Sequence, residues 1–218
     1  MIIYRMHNII ILAKVMPGES VLDPYCGTGS LLLPCCHLGA FVTGSDIDGD
    51  CLGVIDRNSL SANNRSKNSN FIRQDGYQTM QINGSTRSNF EYYGFASQLR
   101  GLYAMDAVEW LSDTRDDIFD VILSDPPFGI RERSLGDETQ HPLVTLLAIA
   151  KKRLRTGGRL AFWMPSEAFD GEDEVAHRLR EYSYQAGSTS NLRFARATRQ
   201  HLSSKLSRWL CLFEKVIL

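Results

Sequence analysis

The strongest constraint on the fold of this chain is an apolar stretch that two consecutive prolines bring to an end. Residues 119–123 have the composition of a buried strand, and Ser124 and Asp125 lead from it into Pro126 and Pro127. Neither proline has an N–H group to donate, so the hydrogen-bond ladder of a sheet cannot continue through them. The strand must therefore stop there, and its carboxyl end must carry the Asp125 carboxylate.

The residues of this turn suit a planar ring that bears an amino group. Pro126 and Pro127 stiffen the backbone, Asp125 offers a carboxylate, and Phe128 offers an aromatic face. A ring stacked on Phe128 would donate its amine hydrogens to Asp125 and to a backbone carbonyl. A plain surface turn that caps the strand explains the same residues, so the rest of the chain must decide between the two interpretations.

Predicted strands and helices alternate along the whole chain. The other strands are predicted at residues 19–23, 40–45, 99–105, 159–164, 192–197 and 209–216. Helices are predicted at residues 1–15, from residue 31, and at 49–62, 85–93, 107–110, 143–154 and 170–184. Gly157 and Gly158 are expected to end the helix that begins at Leu143. This alternation predicts a parallel sheet with helices on both faces.

Length and composition are consistent with a single domain of 218 residues. Between residues 59 and 86 the composition shifts to Ser, Asn, Gly and Arg, which predicts a flexible insertion. The net charge of −1 provides no overall attraction to nucleic acid, so any RNA binding must come from a local patch or another chain. Residues 1–15 are too short and too polar to span a membrane.

Five cysteines lie in the chain, and their spacing matches no zinc site. They indicate reduced thiols in a cytosolic or nuclear protein, and we expect a cytoplasmic location and no bound metal. Cys26 is expected to act as a small apolar filler.

A glycine-rich turn follows the first predicted strand. Asp23 ends the strand, and Gly27 and Gly29 precede a helix whose first turn presents unpaired N–H groups. The second strand ends at Asp46, where a carboxylate is well placed to accept hydrogen bonds from the two hydroxyl groups of a ribose. A nicotinamide dinucleotide site would need a third glycine where this chain has Leu32. The pattern therefore favours a different nucleoside cofactor.

The third predicted strand also ends in an acid, Asp106. This residue either accepts a hydrogen bond from an adenine amino group or caps the helix that begins at Ala107, and one residue can do both. Ligands of such sheets bind outside the carboxyl ends of the strands. A glycine loop, a ribose acid and an adenine acid together fit S-adenosylmethionine, and the Asp125 turn adds a site for an amine. The sequence therefore predicts methyl transfer to nitrogen.

Three segments resemble the class I N2-methyltransferases that modify guanosine at position ten of tRNA. They are residues 23–30, 44–48 and 125–132, and the continuation of the last as Gly-Ile-Arg-Glu points to this family. The resemblance implies a class I methyltransferase, Rossmann-like fold. Such a fold has a seven-stranded, mostly parallel sheet with helices on both faces and a C-terminal antiparallel hairpin. It also implies methyl transfer from S-adenosylmethionine to the exocyclic N2 amine of a guanosine in tRNA.

Two other functions stay open at this point. One is a different amino-group methyltransferase, which acts on adenine N6 in nucleic acid or on a protein glutamine. The other is a subunit that binds S-adenosylmethionine without catalysis.

Carried over by position, the resemblance also implies the site residues. Those that bind the cofactor are Asp23, Tyr25, Gly27, Gly29, Asp46, Ile47, Asp106 and Ala107, with Asp46 at the ribose and Asp106 at the adenine. Those at the target base are Asp125, Pro126, Pro127 and Phe128, where relatives commonly have Tyr in place of Phe128.

The same resemblance implies partners for the protein. Besides tRNA, we expect a THUMP-containing N-terminal region that this chain does not include. The eukaryotic members resemble proteins that work with a small zinc-binding activator subunit.

Overall fold

A computed structural model describes residues 2–53, 84–127, 141–167, 171–187, 191–203 and 206–217, in which seven strands form one sheet. The strands are β1 (Ser20–Asp23), β2 (Phe41–Asp46), β3 (Leu99–Ala104), β4 (Phe119–Ser124), β5 (Leu154–Glu167), β6 (Leu192–His201) and β7 (Leu206–Lys215). Their order across the sheet is β3-β2-β1-β4-β5-β7-β6. β1 to β5 pair in parallel, whereas β7 runs antiparallel to β5 and β6. The predicted mostly parallel sheet with a C-terminal antiparallel hairpin is confirmed.

Helices cover both faces of this sheet. They are α1 (Ile2–Ala13), α2 (Leu32–His37), α3 (Gly49–Leu52), α4 (Thr86–Tyr92), α5 (Glu109–Ser112), α6 (Pro142–Arg153) and α7 (Glu172–Gln185). The first four bury side chains in one apolar cluster, and the last three bury theirs in a second. Successive residues of β4 point to opposite faces, so Val121 and Leu123 enter the first cluster and Ile122 enters the second.

The strand order creates a crevice at the carboxyl ends of β1 and β4. After β1 the chain proceeds outward to β2 and β3, and it then returns to form β4 on the other side of β1. The helices that follow β1 and β4, which are α2 and α6, pack on opposite faces of the sheet, and such a reversal forms a crevice in open α/β sheets. Ligands of open α/β sheets bind at such a point.

The structure corrects two of the predicted helix ends. The helix predicted at residues 49–62 stops at Leu52, because Gly53 adopts the left-handed conformation with a φ of 69°. Residues 54–62 lie outside the described residues.

The second correction concerns Gly157 and Gly158, which do not end a helix but lie within β5. α6 already ends at Arg153, because Leu154 turns to an extended conformation and pairs with Phe119 of β4. The pairing then shifts so that Val121 meets Arg159, and Gly157 takes up the irregularity with a φ of 76°.

The predicted insertion at residues 59–86 lies almost wholly outside the described residues. Its last residues are Ser85, which caps α4, and Thr86, with which α4 begins. The Ser85 hydroxyl accepts a hydrogen bond from the Ser88 N–H group at 3.3 Å.

Candidate active site

A buried carboxylate, that of Asp23, lies at the end of β1 and is 1% exposed. It accepts hydrogen bonds from the Tyr25 N–H group at 3.1 Å and from the Ser124 hydroxyl at 3.0 Å. The second bond ties the carboxyl ends of β1 and β4 together. Burial raises the pKa of Asp23 to about 7, and the negative charges of Asp125 and Asp46 add to the shift.

The Asp46 carboxylate ends β2 and fastens the glycine loop. Its two oxygens accept hydrogen bonds from the N–H groups of Gly27 at 2.9 Å and Asp48 at 3.0 Å. Gly27 has a φ of 48°, and a Cβ atom at this position would meet nothing within 4 Å. The backbone at Gly27 therefore borders open space, where a ligand can approach it closely.

The start of α4 holds the back of the same loop. The Thr86 hydroxyl donates to the Gly27 carbonyl at 2.6 Å, and the Asn89 amide donates to the Thr28 carbonyl at 3.1 Å. A Cβ atom on Gly29, whose φ is 80°, would lie 2.9 Å from the Thr86 methyl group. Only glycine fits there, because α4 packs directly against the loop.

A second set of contacts supports the loop from the opposite face of the sheet. The Trp110 indole N–H group donates to the Ser45 hydroxyl at 2.8 Å, and that hydroxyl donates to the Pro24 carbonyl at 3.1 Å. Trp110 is fully buried. Sequence reasoning missed Ser45, Thr86 and Trp110 as supports of the loop, because each acts on a residue far away in the chain.

Asp106 follows β3 and forms a reciprocal cap at the start of α5. Its carboxylate accepts a hydrogen bond from Val108 N–H at 3.0 Å, and its own N–H group donates to the Glu109 carboxylate at 2.9 Å. The predicted cap is thus displaced: Asp106 closes the turn that precedes α5, whose own N-cap is Val108, and the adenine contact stays a prediction. Burial, followed by the charge of Asp106, raises the pKa of Tyr25.

Ile47 follows Asp46 and Ala107 follows Asp106, and the first side chain is exposed whereas the second is buried. The Ile47 side chain is 45% exposed beside Asp46, which is unusual for an apolar residue at a strand end and leaves a surface against which a ring can pack. Ala107 is buried in the second apolar cluster. Its role at the cofactor therefore stays a prediction.

The turn after β4 presents Asp125 to solvent on a fixed backbone. Pro126 is buried and Pro127 half-buried, whereas the Asp125 side chain is 51% exposed. A side chain from the hairpin meets it, because Arg208 of β7 places Nη1 3.3 Å from Asp125 Oδ2. Sequence reasoning missed this contact. Phe128 and residues 129–132 lie outside the described residues.

These residues fit S-adenosylmethionine, which carries a sulfonium and an ammonium group. The carboxylates of Asp23, Asp46, Asp106 and Asp125 collect at one edge of the sheet, where positive charge on a ligand would compensate them. Asp23 in particular is buried with partners that are neutral, so a nearby cation would stabilise its ionised form. The uncovered backbone at Gly27 leaves space for the ligand itself.

Other features of the chain are structural. All five cysteines are free thiols, and Cys26 packs so tightly that a Cβ atom on Gly44 would lie 2.7 Å from its sulfur, which confirms its role as a filler. Within the described ranges, no three His, Cys, Asp or Glu side chains gather to hold a metal ion. In that same part of the chain, no helix is both long and apolar enough to cross a membrane.

Sequence comparison finds relatives of which this chain covers only a part. This chain is 34% identical to tRNA (guanine(10)-N(2))-methyltransferase of Saccharomyces cerevisiae over 190 residues. The alignment covers 71% of this chain and 38% of the yeast protein. It is 30% identical over 234 residues to tRNA (guanine(10)-N(2))-methyltransferase TRMT11 of Homo sapiens. That alignment covers 93% of this chain and 44% of the human protein. The chain therefore spans less than half the length of these curated relatives.

Structural comparison confirms the class I, Rossmann-like methyltransferase fold. The crystal structure of TrmN from Thermus thermophilus aligns with 97% of this chain and 48% of its own, at a TM-score of 0.63 and 20% identity. N-methyltransferase NodS from Bradyrhizobium japonicum aligns with 98% of this chain and 96% of its own, at a TM-score of 0.59 and 15% identity.

The family comparison covers most of the chain. Residues 6–186 match UPF0020, described as an RMKL-like, methyltransferase domain. Family and fold together identify S-adenosylmethionine as the methyl donor, in agreement with the acidic edge and the glycine loop. The chain thus belongs to the UPF0020 family of RMKL-like methyltransferase domains.

Proposed function

We propose that this protein methylates the exocyclic N2 amine of a guanosine in tRNA, at position ten. The observation that carries the proposal is the Asp125 carboxylate, which is half exposed on a rigid turn beside Asp23 and the glycine loop. An acceptor for amine hydrogens thus lies next to the place proposed for the cofactor. The names of the yeast and human relatives, which specify guanine N2 at position ten of tRNA, support the choice of amine.

The chemical difficulty lies in the amine, because its lone pair is delocalised into the ring and is a poor nucleophile. S-adenosylmethionine, when bound, supplies an electrophilic methyl group on a cationic sulfur. Asp125 accepts a hydrogen bond from the amine, stabilises the positive charge that develops on it, and takes up the proton that it loses. The Pro126 carbonyl is proposed as the second acceptor, and Phe128 as the surface on which the base stacks.

The remaining residues are proposed to bind and orient the cofactor. Asp46 accepts hydrogen bonds from the ribose hydroxyls, Ile47 packs against the adenine, and Asp106 accepts from the adenine amino group. Asp23 and the backbone of the loop from Tyr25 to Gly29 hold the methionine end. Positioning by these groups supplies much of the rate, because it replaces a random encounter by a fixed approach.

Delivery of the RNA is proposed to involve groups beyond this domain. The net charge of −1 gives the chain no general affinity for a polyanion, although six Lys or Arg residues and one Glu follow residue 190. A THUMP-containing region or a small zinc-binding activator subunit would supply further contacts to tRNA. The five free thiols are consistent with a cytoplasmic location.

The direct test is the identity of the methylated product. Purified protein, alone and with an activator subunit, is incubated with total tRNA and S-adenosylmethionine that carries a tritiated methyl group. We expect label in N2-methylguanosine after digestion to nucleosides, and an initial rate of labelling lower by about 10²- to 10³-fold with the Asp125→Ala variant. Label in N6-methyladenosine, or in protein, would show that the substrate is an amine other than guanine N2. The absence of label in every preparation would contradict the proposal that the protein is an enzyme.

The raised pKa of Asp23 predicts that cofactor affinity increases as the pH passes through neutrality. Below about pH 7 the buried carboxyl group is neutral, and above it the group is ionised and attracts a cationic ligand. In the Asp23→Asn variant this increase should be lost. Titration calorimetry from pH 5.5 to 8.5 measures it, with Asp50→Asn, an exposed acid of α3, as the matched control.

The same pKa shift also predicts how the stability of the ligand-free protein changes with pH. Between the ordinary carboxyl pKa of 3.8 and about 7, the folded chain holds a proton that the unfolded chain has already lost. Stability is therefore expected to fall as the pH rises through this window, and less so in Asp23→Asn. Identical pH profiles of affinity and melting in the variant and the wild type would contradict the proposed place of Asp23.

A further inference from the structure

We propose that Arg208 positions the Asp125 carboxylate for methyl transfer, an inference that rests on the proposed function. Arg208 belongs to the C-terminal hairpin, and β5 separates its strand, β7, from β4. Its side chain nevertheless crosses β5 and places Nη1 3.3 Å from Asp125 Oδ2. The hairpin thus contributes a group to an active site that is otherwise built from the parallel half of the sheet.

Arg208 occupies a position where the strand pattern calls for an apolar residue. Alternate residues of β7, Leu210 and Leu212, lie in the first apolar cluster together with Trp163 of β5. Arg208 extends that row by one step toward the active-site edge, and its side chain is only 18% exposed. A charged group in such a row is costly to desolvate unless it has partners.

Side chains of β5, β6 and the Asp125 turn are among those that hold the guanidinium group. Its central carbon lies 3.8 Å from the centroid of the Trp163 ring, and its Nε donates to Gln200 Oε1 at 2.7 Å. Another contact is the bond to Asp125. Trp163 is 3% exposed and therefore immobile, and Gln200 is the direct pairing partner of Arg208 across the hairpin. The plane of the guanidinium is thus set by β5 and β6 before it meets the carboxylate.

A carboxylate that is bonded to a fixed guanidinium group is held in a defined direction. The proposed reaction needs this, because the Asp125 side chain is half exposed and must meet the amine hydrogens at one orientation. Arg208 does not touch the reacting atoms in this scheme. It acts through Asp125, so that its loss should affect the turnover of bound substrate and not the binding of the cofactor.

The test compares Arg208→Gln, Arg208→Lys and, as a matched control, Arg196→Gln, which removes an exposed charge from β6 of the same hairpin. We expect Arg208→Gln to lower kcat about 10- to 100-fold, the range for a misplaced catalytic group. The affinity for S-adenosylmethionine, measured by calorimetry, should stay at the wild-type value. Arg208→Lys, which keeps the charge and loses the planar fork, should recover part of kcat, and Arg196→Gln should retain it.

A double-mutant cycle separates positioning from a general structural role. In the Asp125→Ala background, Arg208→Gln should lower kcat by no more than about twofold, because residues that act as a unit are not additive. A wild-type or higher kcat in Arg208→Gln would overturn the inference, and so would an equal loss in both backgrounds. Failure of the proposed function can be told apart from failure of this inference, because in the former case the wild-type protein itself would methylate no guanosine.

Discussion

Asp125→Ala is expected to lower the turnover of methyl transfer by about 10²- to 10³-fold, the range for the loss of one preorganised electrostatic contact to a transition state. Asp125 is the described acid that is both half exposed and fixed by a proline turn, so its removal leaves the amine without its acceptor. Affinity for S-adenosylmethionine should stay nearly unchanged, because the glycine loop and Asp46 are untouched. Single-turnover kinetics with tRNA and calorimetry with the cofactor measure the two quantities separately.

The matched control is Asp125→Asn, which preserves size and one acceptor oxygen but removes the charge. We expect its turnover to lie between those of the wild type and Asp125→Ala, since a neutral acceptor stabilises developing positive charge less well. Both substitutions remove the ion pair between Asp125 and Arg208, and thermal melting of the two variants measures what that pair contributes to stability. Turnover at the wild-type rate in Asp125→Ala would remove Asp125 from the mechanism.

Asp46→Ala is expected to weaken the binding of S-adenosylmethionine by about 10- to 100-fold, because a hydrogen bond to a charged group contributes about 1.5–3 kcal/mol. The substitution removes the proposed acceptor for the ribose, and it also frees the N–H group of Gly27, which the carboxylate holds at 2.9 Å. Turnover at saturating cofactor should change little, since this interaction is the same in the ground state and the transition state.

Asp48→Ala serves as the control for this effect. Asp48 caps α3 by accepting from the N–H groups of Asp50 and Cys51, and its side chain has no contact with the glycine loop among the bonds described. Its loss should destabilise the protein by about 1 kcal/mol, as for other helix caps, with little change in cofactor affinity. Equal affinities in Asp46→Ala and the wild type, measured by calorimetry, would exclude the ribose role.

Local chemistry explains which parts of the fold were predictable. Asp23, Asp46 and Asp125 each follow a short apolar run, and glycine or proline stops the strand within a few residues. In a parallel sheet the carboxyl ends of the strands share one edge, so these acids had to meet there. The Asp106 cap was also predictable, because its partners lie within three residues.

Contacts between distant strands explain what the sequence did not reveal. Arg208 and Asp125 are 83 residues apart and meet only because β7 inserts beside β5 in the reverse direction. The alternation of β7 marks Arg208 as a charged residue in an apolar row, but nothing in that local pattern identifies Asp125 as its partner. At Gly157 and Gly158 a local pattern gave a wrong prediction. The glycines were expected to end a helix, but the helix already ends where Leu154 pairs with Phe119.

The junction of α3 and α4 has a consequence for how such domains diverge. A Cβ atom on Gly53 would lie 2.5 Å from the Ser85 hydroxyl, so the C-cap residue of α3 and the N-cap residue of α4 lie side by side. Between points that already touch, each doubling of the connecting length costs only about 0.6 kcal/mol in closure entropy. The junction of Gly53 and Ser85 is therefore a place where connections of different length can be exchanged at little cost, while Thr86 keeps its bond to the glycine loop.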